Sequence, residues 1–403
     1  MKKTKMISFI LFLGFFYPFH SIYSYEDEGI LHQKDEEISH QKDEEISHQK
    51  DEEISHQKDE NSRFNMFVDF VSTINSTVKK ESPERALFSE DHLTLEMIGK
   101  INDKISYRFV KKLNDIENYK TIDLAYLKYK WNDKLHFLIG KQPYSFGSIE
   151  YSNGLHESPY QYANVYKSSD NPIGFNFIYI PIKNHELQLQ VVNSIKNPMG
   201  NTYNRDGDEV KKVNNPIGYS VSWNWNLNKI IQNRWSYSIF QENEDQKFWK
   251  FLALGSKVDL KPFFLEADYI LSDEDIEKNG SITEVLRSLN SYYRNVASVK
   301  YGTCLFKLKY NFIPKWNLIV KGVYEIGTSK RGVNDILEEK KLFKKEYTYY
   351  GGIEFVPSIN NDDLNFHLLY QNQRINYIVD PIQKENKNNH FIILGLSYRI
   401  NML

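Results

Sequence analysis

Along most of this chain, apolar residues fall at every second position. In the last stretch, His390 to Met402, the residues Ile392, Leu394, Leu396, Tyr398, Ile400 and Met402 are apolar, whereas Ile393, Gly395, Ser397, Arg399 and Asn401 are mostly small or polar. A period of two sends successive side chains to opposite faces of an extended strand, so one face is greasy and the other wet. The alternation runs about twice as long as a strand of a soluble sandwich, and roughly ten tilted residues are what a strand needs to cross a bilayer.

The pattern recurs upstream. It predicts strands over 64–74, 92–100, 104–112, 121–131, 134–141, 172–181, 185–194 and 215–227. It continues over 233–243, 248–258, 261–271, 301–312, 315–326, 346–356, 363–374 and 389–401. In 215–227, Ile217, Tyr219, Val221, Trp223, Trp225 and Leu227 line one face, and Gly218, Ser220, Ser222, Asn224 and Asn226 the other. The total is about sixteen, an even number, as in single-chain bacterial barrels.

The connections sharpen this reading. After even-numbered strands they are mostly about two to five residues; after odd-numbered strands they are longer, at 75–91, 113–120, 142–171, 195–214, 272–300, 327–345 and 375–388. The link near 243–247 is the short exception. Short periplasmic turns on one rim and long external loops on the other are the outer-membrane arrangement. A soluble all-β protein has no reason to sort loop lengths by strand parity. In lipid the sheet must also close, because an open edge would leave backbone groups unpaired. The expected fold is an all-β, transmembrane antiparallel β-barrel. Trp131, Trp223, Trp225, Trp235, Trp249 and Trp316 lie near strand ends, where interfacial girdles sit.

Composition agrees. The 403 residues are 15% aromatic, with 28 Tyr and 25 Phe. Mean hydropathy is -0.58. Past residue 24 no apolar run is long enough for a spanning helix. The single Cys304 rules out an intrachain disulfide and says nothing of compartment. Lys2, Lys3 and Lys5, an apolar run from Met6 to Phe19, and small residues at Ser21 and Ser24 read as a secretory signal peptide over 1–24. Ile22 makes the cleavage site near Ser24 imperfect. Export through Sec to the outer membrane follows.

Residues 25–61 form a second segment, and the barrel is expected over 62–403. From Ile30 the octapeptide LHQKDEEI, SHQKDEEI repeats to about Glu60. Ile38, Ile46 and Ile54 drift about 80° per copy on a helix of about 100° per residue, so they build no stripe. A solvated acidic tether fits better than a coiled coil. His32, His40, His48 and His56 raise a metal-binding reading, but their spacing gives no fixed geometry. Residues 25–60 carry about −10 and the signal about +3, which leaves the body near +5 within a formal total of -2.

At 124–154 the chain reads LAYLKYKWNDKLHFLIGKQPYSFGSIEYSNG: a strand, an Asn-Asp turn, a strand ending in GKQP, then FG opening a long loop. With VPSINNDDLNFHLLYQ at 356–371 and the ending LGLSYRINML, this resembles the phosphate-selective porin O and P family, especially its members from Bacteroidetes-type bacteria. The resemblance implies a sixteen-stranded barrel, often a trimer, with loop three folded inward as a constriction. That loop would bring Tyr144, Glu150, Tyr151, His156, Glu157, Tyr160, Tyr162 and Lys167 to the pore. Phosphate-selecting members place many basic residues there, whereas 142–171 holds only Lys167. Phosphate selectivity is therefore not carried over.

On each strand the lumen face is the one opposite the apolar row. By that rule Arg108, Lys128, Lys130, Lys307, Lys309, Lys321 and Arg399 point inward as an anion path, and Asp69, Glu266, Asp268, Glu325 and Glu354 point inward beside them. The tyrosines of loop three either stack on ring-shaped solutes or pack the loop on the wall. Two functions remain open: an outer-membrane porin for passive diffusion of small hydrophilic solutes, anions such as phosphate among the candidates, and a non-conducting surface adhesin. Catalysis is not expected, since no Gly-x-Ser-x-Gly occurs and His136 and His367 stand isolated on their strands. No cofactor, metal or nucleic acid is expected; the partners are outer-membrane lipid, solutes and, through the resemblance, a homotrimer.

Overall fold

The computed structural model describes residues 64–77, 87–114, 122–152, 162, 171–194, 216–242, 247–278, 280–283, 286, 297–332, 338–357, 364–378 and 386–402. The expected signal peptide and acidic repeat lie outside the described residues. Among the described residues no helix is long and apolar enough to cross a membrane. Crossing is by strands.

The described residues form sixteen of them. They are β1 (Phe64–Thr77), β2 (Leu87–Asn102), β3 (Ile105–Lys112), β4 (Ile122–Asn132), β5 (Leu135–Lys141) and β6 (Ile173–Tyr179). Next come β7 (His185–Asn193), β8 (Ile217–Leu227), β9 (Ile231–Gln241), β10 (Phe248–Leu260) and β11 (Phe263–Glu274). The last are β12 (Val299–Ile313), β13 (Trp316–Ser329), β14 (Leu342–Phe355), β15 (Leu364–Tyr377) and β16 (Lys387–Asn401). Each pairs antiparallel with its neighbours in sequence, and β1 pairs with β16, so the sheet is a closed barrel.

The seam runs from Phe67 opposite Asn401 to Thr77 opposite Phe391. On its inner side Arg399 donates to both oxygens of Asp69, at 2.6 and 2.7 Å. It also donates to Glu96 on β2, whose other oxygen takes Arg108 of β3 at 2.5 Å. Four strands, first and last among them, are thus tied through one buried charge group. Removing one partner from such a group costs about 3–5 kcal/mol, because the other is left buried and uncompensated.

The short turns have the chemistry they need. The Asn102 side chain accepts the Lys104 and Ile105 N–H groups at 2.9 Å, and that of Asn132 accepts Lys134 N–H at 2.9 Å. Asn228 and Lys229 both take positive φ, 51° and 60°, as hairpin turns that match strand twist require. The longest connections leave the opposite rim, after odd-numbered strands; the exceptions to the parity are the brief link between β9 and β10 and the longer turn-rim link over 356–363 between β14 and β15. At that rim Lys330 pairs with Asp273 and, at 2.6 Å, with Asp275. Partial burial works against the Asp275 carboxylate, but the Lys330 ammonium and the Phe248 N–H outweigh it and hold it below its ordinary value.

Alternation sorts the wall as expected. On β8, Tyr219, Val221 and Trp223 face outward and Gly218, Ser220 and Ser222 are buried inside. Near the short-turn rim Trp223 and Trp225 meet Trp235 at 5.4 and 6.0 Å, and Trp316 meets Phe355 at 4.6 Å, forming an outer aromatic girdle. Trp249 is not part of it. It follows the first residue of β10, so the pleat turns it inward, where it packs on Phe240, Phe251 and Phe146.

Cys304 lies on the outer face of β12, opposite Tyr269 and Tyr324 of the neighbouring strands. A lipid-soluble maleimide should label it in the intact membrane, while a charged, membrane-impermeant thiol reagent should not. Rapid modification by the charged reagent would place that face in water.

Candidate functional site in the barrel lumen

Among the described residues, the inner wall collects most of the buried charge. Lys307, Lys321 and Arg399 are buried there, as are Asp69, Glu96, Glu266, Asp268, Glu325 and Glu354. A charge in such low-dielectric surroundings persists only when paired. Lys307 meets Glu266 at 2.7 Å, and Lys309 meets Glu354. Lys344 of β14, which the lumen rule did not single out, sits between Glu325 and Glu346 at 2.9 and 2.7 Å. Lys130 pairs with Asp133 in the β4–β5 turn at 2.9 Å, and that hydrogen bond holds the Asp133 carboxyl below its ordinary value. Lys128 lies two residues from Lys130 on the same face of β4 and interacts with Glu186 of β7.

The wall is not uniformly polar. Val110, Leu124, Tyr126, Leu138 and Ile178 form a buried apolar cluster on the inner face of β3–β6. A second, with Leu305, Ile319, Val323, Tyr350, Leu369 and Ile393, lies on β12–β16.

Loop three leaves β5 and turns into the barrel. Ser145 is held by Gln188 and Gln190 of β7, its hydroxyl at 2.7 Å from one and its N–H at 2.9 Å from the other. Gly147 donates its N–H to Ser236 of β9 at 2.8 Å, and Arg234 donates to the Phe146 and Gly147 carbonyls at 3.2 and 3.3 Å. Phe146 enters an aromatic nest of Tyr144, Phe240, Trp249 and Phe251, with Tyr151 stacked on it at 5.0 Å. Gly147 has φ +99°, and a Cβ there would run into the Tyr151 ring, so glycine is needed at this bend.

A single helical turn, α1 (Ile149–Ser152), then crosses the wall. Asp268 of β11 accepts the Ser148 hydroxyl at 2.5 Å and the Glu150 N–H at 2.8 Å. A Cβ on Gly255 of β10 would strike the Ile149 backbone, so that glycine allows the close approach. Glu150 pairs with Lys321 of β13 and accepts the Tyr162 N–H at 2.6 Å. The Tyr162 hydroxyl reaches Glu325 at 3.0 Å. Among the expected constriction residues, Tyr144, Glu150, Tyr151 and Tyr162 are thus brought together inside the barrel. His156, Glu157, Tyr160 and Lys167 lie outside the described residues. Tyr144, Tyr151 and Tyr162 pack the loop onto the wall.

Sequence reasoning did not find Gln188, Gln190, Arg234 and Ser236 as anchors. The signal available was weak: polar residues on inner faces of β7 and β9, with nothing local to say that they meet loop three.

The family model for phosphate-selective porin O and P matches residues 63–400. The chain belongs to this family. No curated protein matches the porin in sequence. Its fold is shared with the outer membrane channel DcaP of Acinetobacter baumannii at TM-score 0.57 and 10% identity, covering 84% of this chain and 97% of that one. Salmonella typhi OmpF, solved in complex with daunomycin, aligns at TM-score 0.54 and 14% identity over 84% and 97% of the two chains. Vibrio cholerae OmpT in its trimer form aligns at TM-score 0.52 and 10% identity over 84% and 99%. Family and fold together make this an outer-membrane channel for passive diffusion, and point away from an enzyme.

The Glu150–Lys321 pair carries loop three across to β13, beside the Tyr162–Glu325 hydrogen bond to the same strand. Replacing Lys321 with Met leaves a buried carboxylate without its cation, so the loop should loosen. Single-channel conductance should rise roughly 1.5-fold or become noisy as the constriction opens. Conductance indistinguishable from the wild type in a folded barrel would show that this pair does not set the opening.

Proposed function

We propose that this porin passes small hydrophilic solutes with a mild preference for anions and does not single out phosphate. The observation that supports this reading is the pairing of the lumen's charges. Arg108, Lys307, Lys309, Lys321 and Arg399 each have a carboxylate at ion-pair distance. A passing anion feels the partner's repulsion along with each base's attraction, so the net pull is small. The surplus lies on the arc from β4 to β10, where Lys128, Lys130, Arg234 and Lys257 outnumber Glu186 and Asp259 on the inner faces and Asp133 in the turn beside Lys130.

Reversal potentials across a KCl gradient test this. The chloride-to-potassium permeability ratio should fall between 1 and roughly 3, and Lys128→Glu with Lys130→Glu should lower it. A cation-selective wild type, or block by micromolar phosphate, would sink the reading.

We further infer a homotrimer joined through the outer wall of β5–β7. β5 and β6 have 7 residues each, against 12 to 15 from β10 to β16. Seven residues at about 3.3 Å each and a tilt near 40° rise only about 18 Å, short of an apolar band about 25 Å tall. A neighbouring subunit covers such a wall better than lipid does. Phe175→Arg on β6 should shift the native-gel band towards monomer, while Val320→Arg on the far wall should not; equal behaviour of the two would argue against this contact. By the charge and composition of the sequence, residues 1–24 serve export and 25–61 an acidic tether ahead of the barrel in the chain.

A further inference from the structure

The segment after β11 is built as firmly as loop three, and no part of the reading above uses it. Glu277 is 0% exposed. Its carboxylate accepts the Ile282 N–H at 3.0 Å, the Thr283 N–H at 2.9 Å, the Thr283 hydroxyl at 2.6 Å and the Tyr301 hydroxyl at 2.8 Å. Those donors fill the lone-pair positions a carboxylate offers. Thr283 in turn accepts the Ala297 N–H at 3.0 Å, and the Glu277 N–H goes to the Ala297 carbonyl at 2.9 Å. One acid therefore ties the outgoing limb of the segment to its returning limb and to β12. Ile276, Ile282 and Leu286 of the same segment are buried as well.

The side on which this knot sits follows from its partners. Tyr301 of β12 and Glu274 of β11 are buried inner-face residues, and Glu274 accepts the Lys278 N–H at 2.8 Å. Lys278 pairs with Glu242 beyond β9 at 3.0 Å and lies 4.3 Å over the Trp249 ring. Trp249 also meets Phe146 of loop three, edge to face at 5.7 Å. The segment therefore leans inward across β10 at the external end of the lumen, and it shares a wall residue with the constriction below.

We infer that residues 275–278 and 280–283 form a second constriction at the external mouth, in series with loop three, and that Glu277 is the residue that positions it. This rests on the diffusion-channel reading. The solute it selects against is the bulky neutral one: with its acid satisfied and Lys278 paired, the knot acts through volume rather than charge. Its chemistry also explains why it holds its place. Loss of Glu277 would leave two hydroxyl and two backbone donors buried without an acceptor.

The test uses purified full-length porin in planar bilayers and liposome swelling with neutral sugars of rising size. Glu277→Ala should raise conductance roughly 1.5- to 2-fold and move the sugar exclusion limit upward, with the ion permeability ratio unchanged. Thr283→Val with Tyr301→Phe, which keeps the acid but removes two donors, should shift both readouts the same way by a smaller factor. Heat-modifiable gel mobility identifies barrels that have folded. Should the folded variants keep wild-type conductance and wild-type sugar limit, the second constriction is overturned. Were the wild type itself to form no channels, the diffusion reading would fail instead.

Discussion

The structure follows from one requirement: no backbone N–H or C=O may be left unpaired where only hydrocarbon surrounds it. Each such group costs several kcal/mol, far more than any side-chain preference along a strand. A sheet meets the requirement only by closing on itself, which here means β1 against β16. Closure by consecutive antiparallel hairpins then fixes much else. The strand number is even, both ends of the sheet reach one rim, and the connections divide by parity. The buried group of Asp69, Glu96, Arg108 and Arg399 sits across the joint where the chain's two ends meet.

Inside the barrel a different balance holds. Acid and base face each other on neighbouring strands or across loop three, because a lone charge at such sites is unstable. The same rule makes the fastened loop possible. A segment carrying few charges of its own enters the lumen because the wall supplies what its backbone lacks: Gln190 and Ser236 for N–H groups, Arg234 for carbonyls, Asp268 for a hydroxyl and an N–H. Aromatic packing around Phe146 adds apolar burial, at about 25 cal/mol per Å² removed from water.

The barrel was largely legible from sequence because its code is local. Period two is read within each strand, as in β8 and β16, and loop lengths are read between strands. Where the reading went astray, the cause was equally physical. Trp249 looked like a girdle residue by its place near a strand end, yet the pleat alone decides which side it faces. Leu124 and Tyr126 are buried on the inner side of β4 although the rule made that side polar; apolar groups suit both sides where the interior is packed. The fastening of loop three was not legible at all. Glu150 and Lys321 are 171 residues apart, Arg399 and Asp69 are 330, and no local pattern links them. Glu277 was hidden too, two of its donors being backbone N–H groups that a sequence does not display and a third the hydroxyl of Tyr301, 24 residues away.

A lining built from couples has an evolutionary corollary. Because Lys307, Lys309 and Lys321 are each cancelled by a carboxylate, a single codon change at Glu266 or Glu354 uncovers a full positive charge, and one at Lys307 or Lys309 a negative one. The scaffold need not be rebuilt for a lineage to explore new nutrients: its preference can swing either way from a nearly neutral starting point.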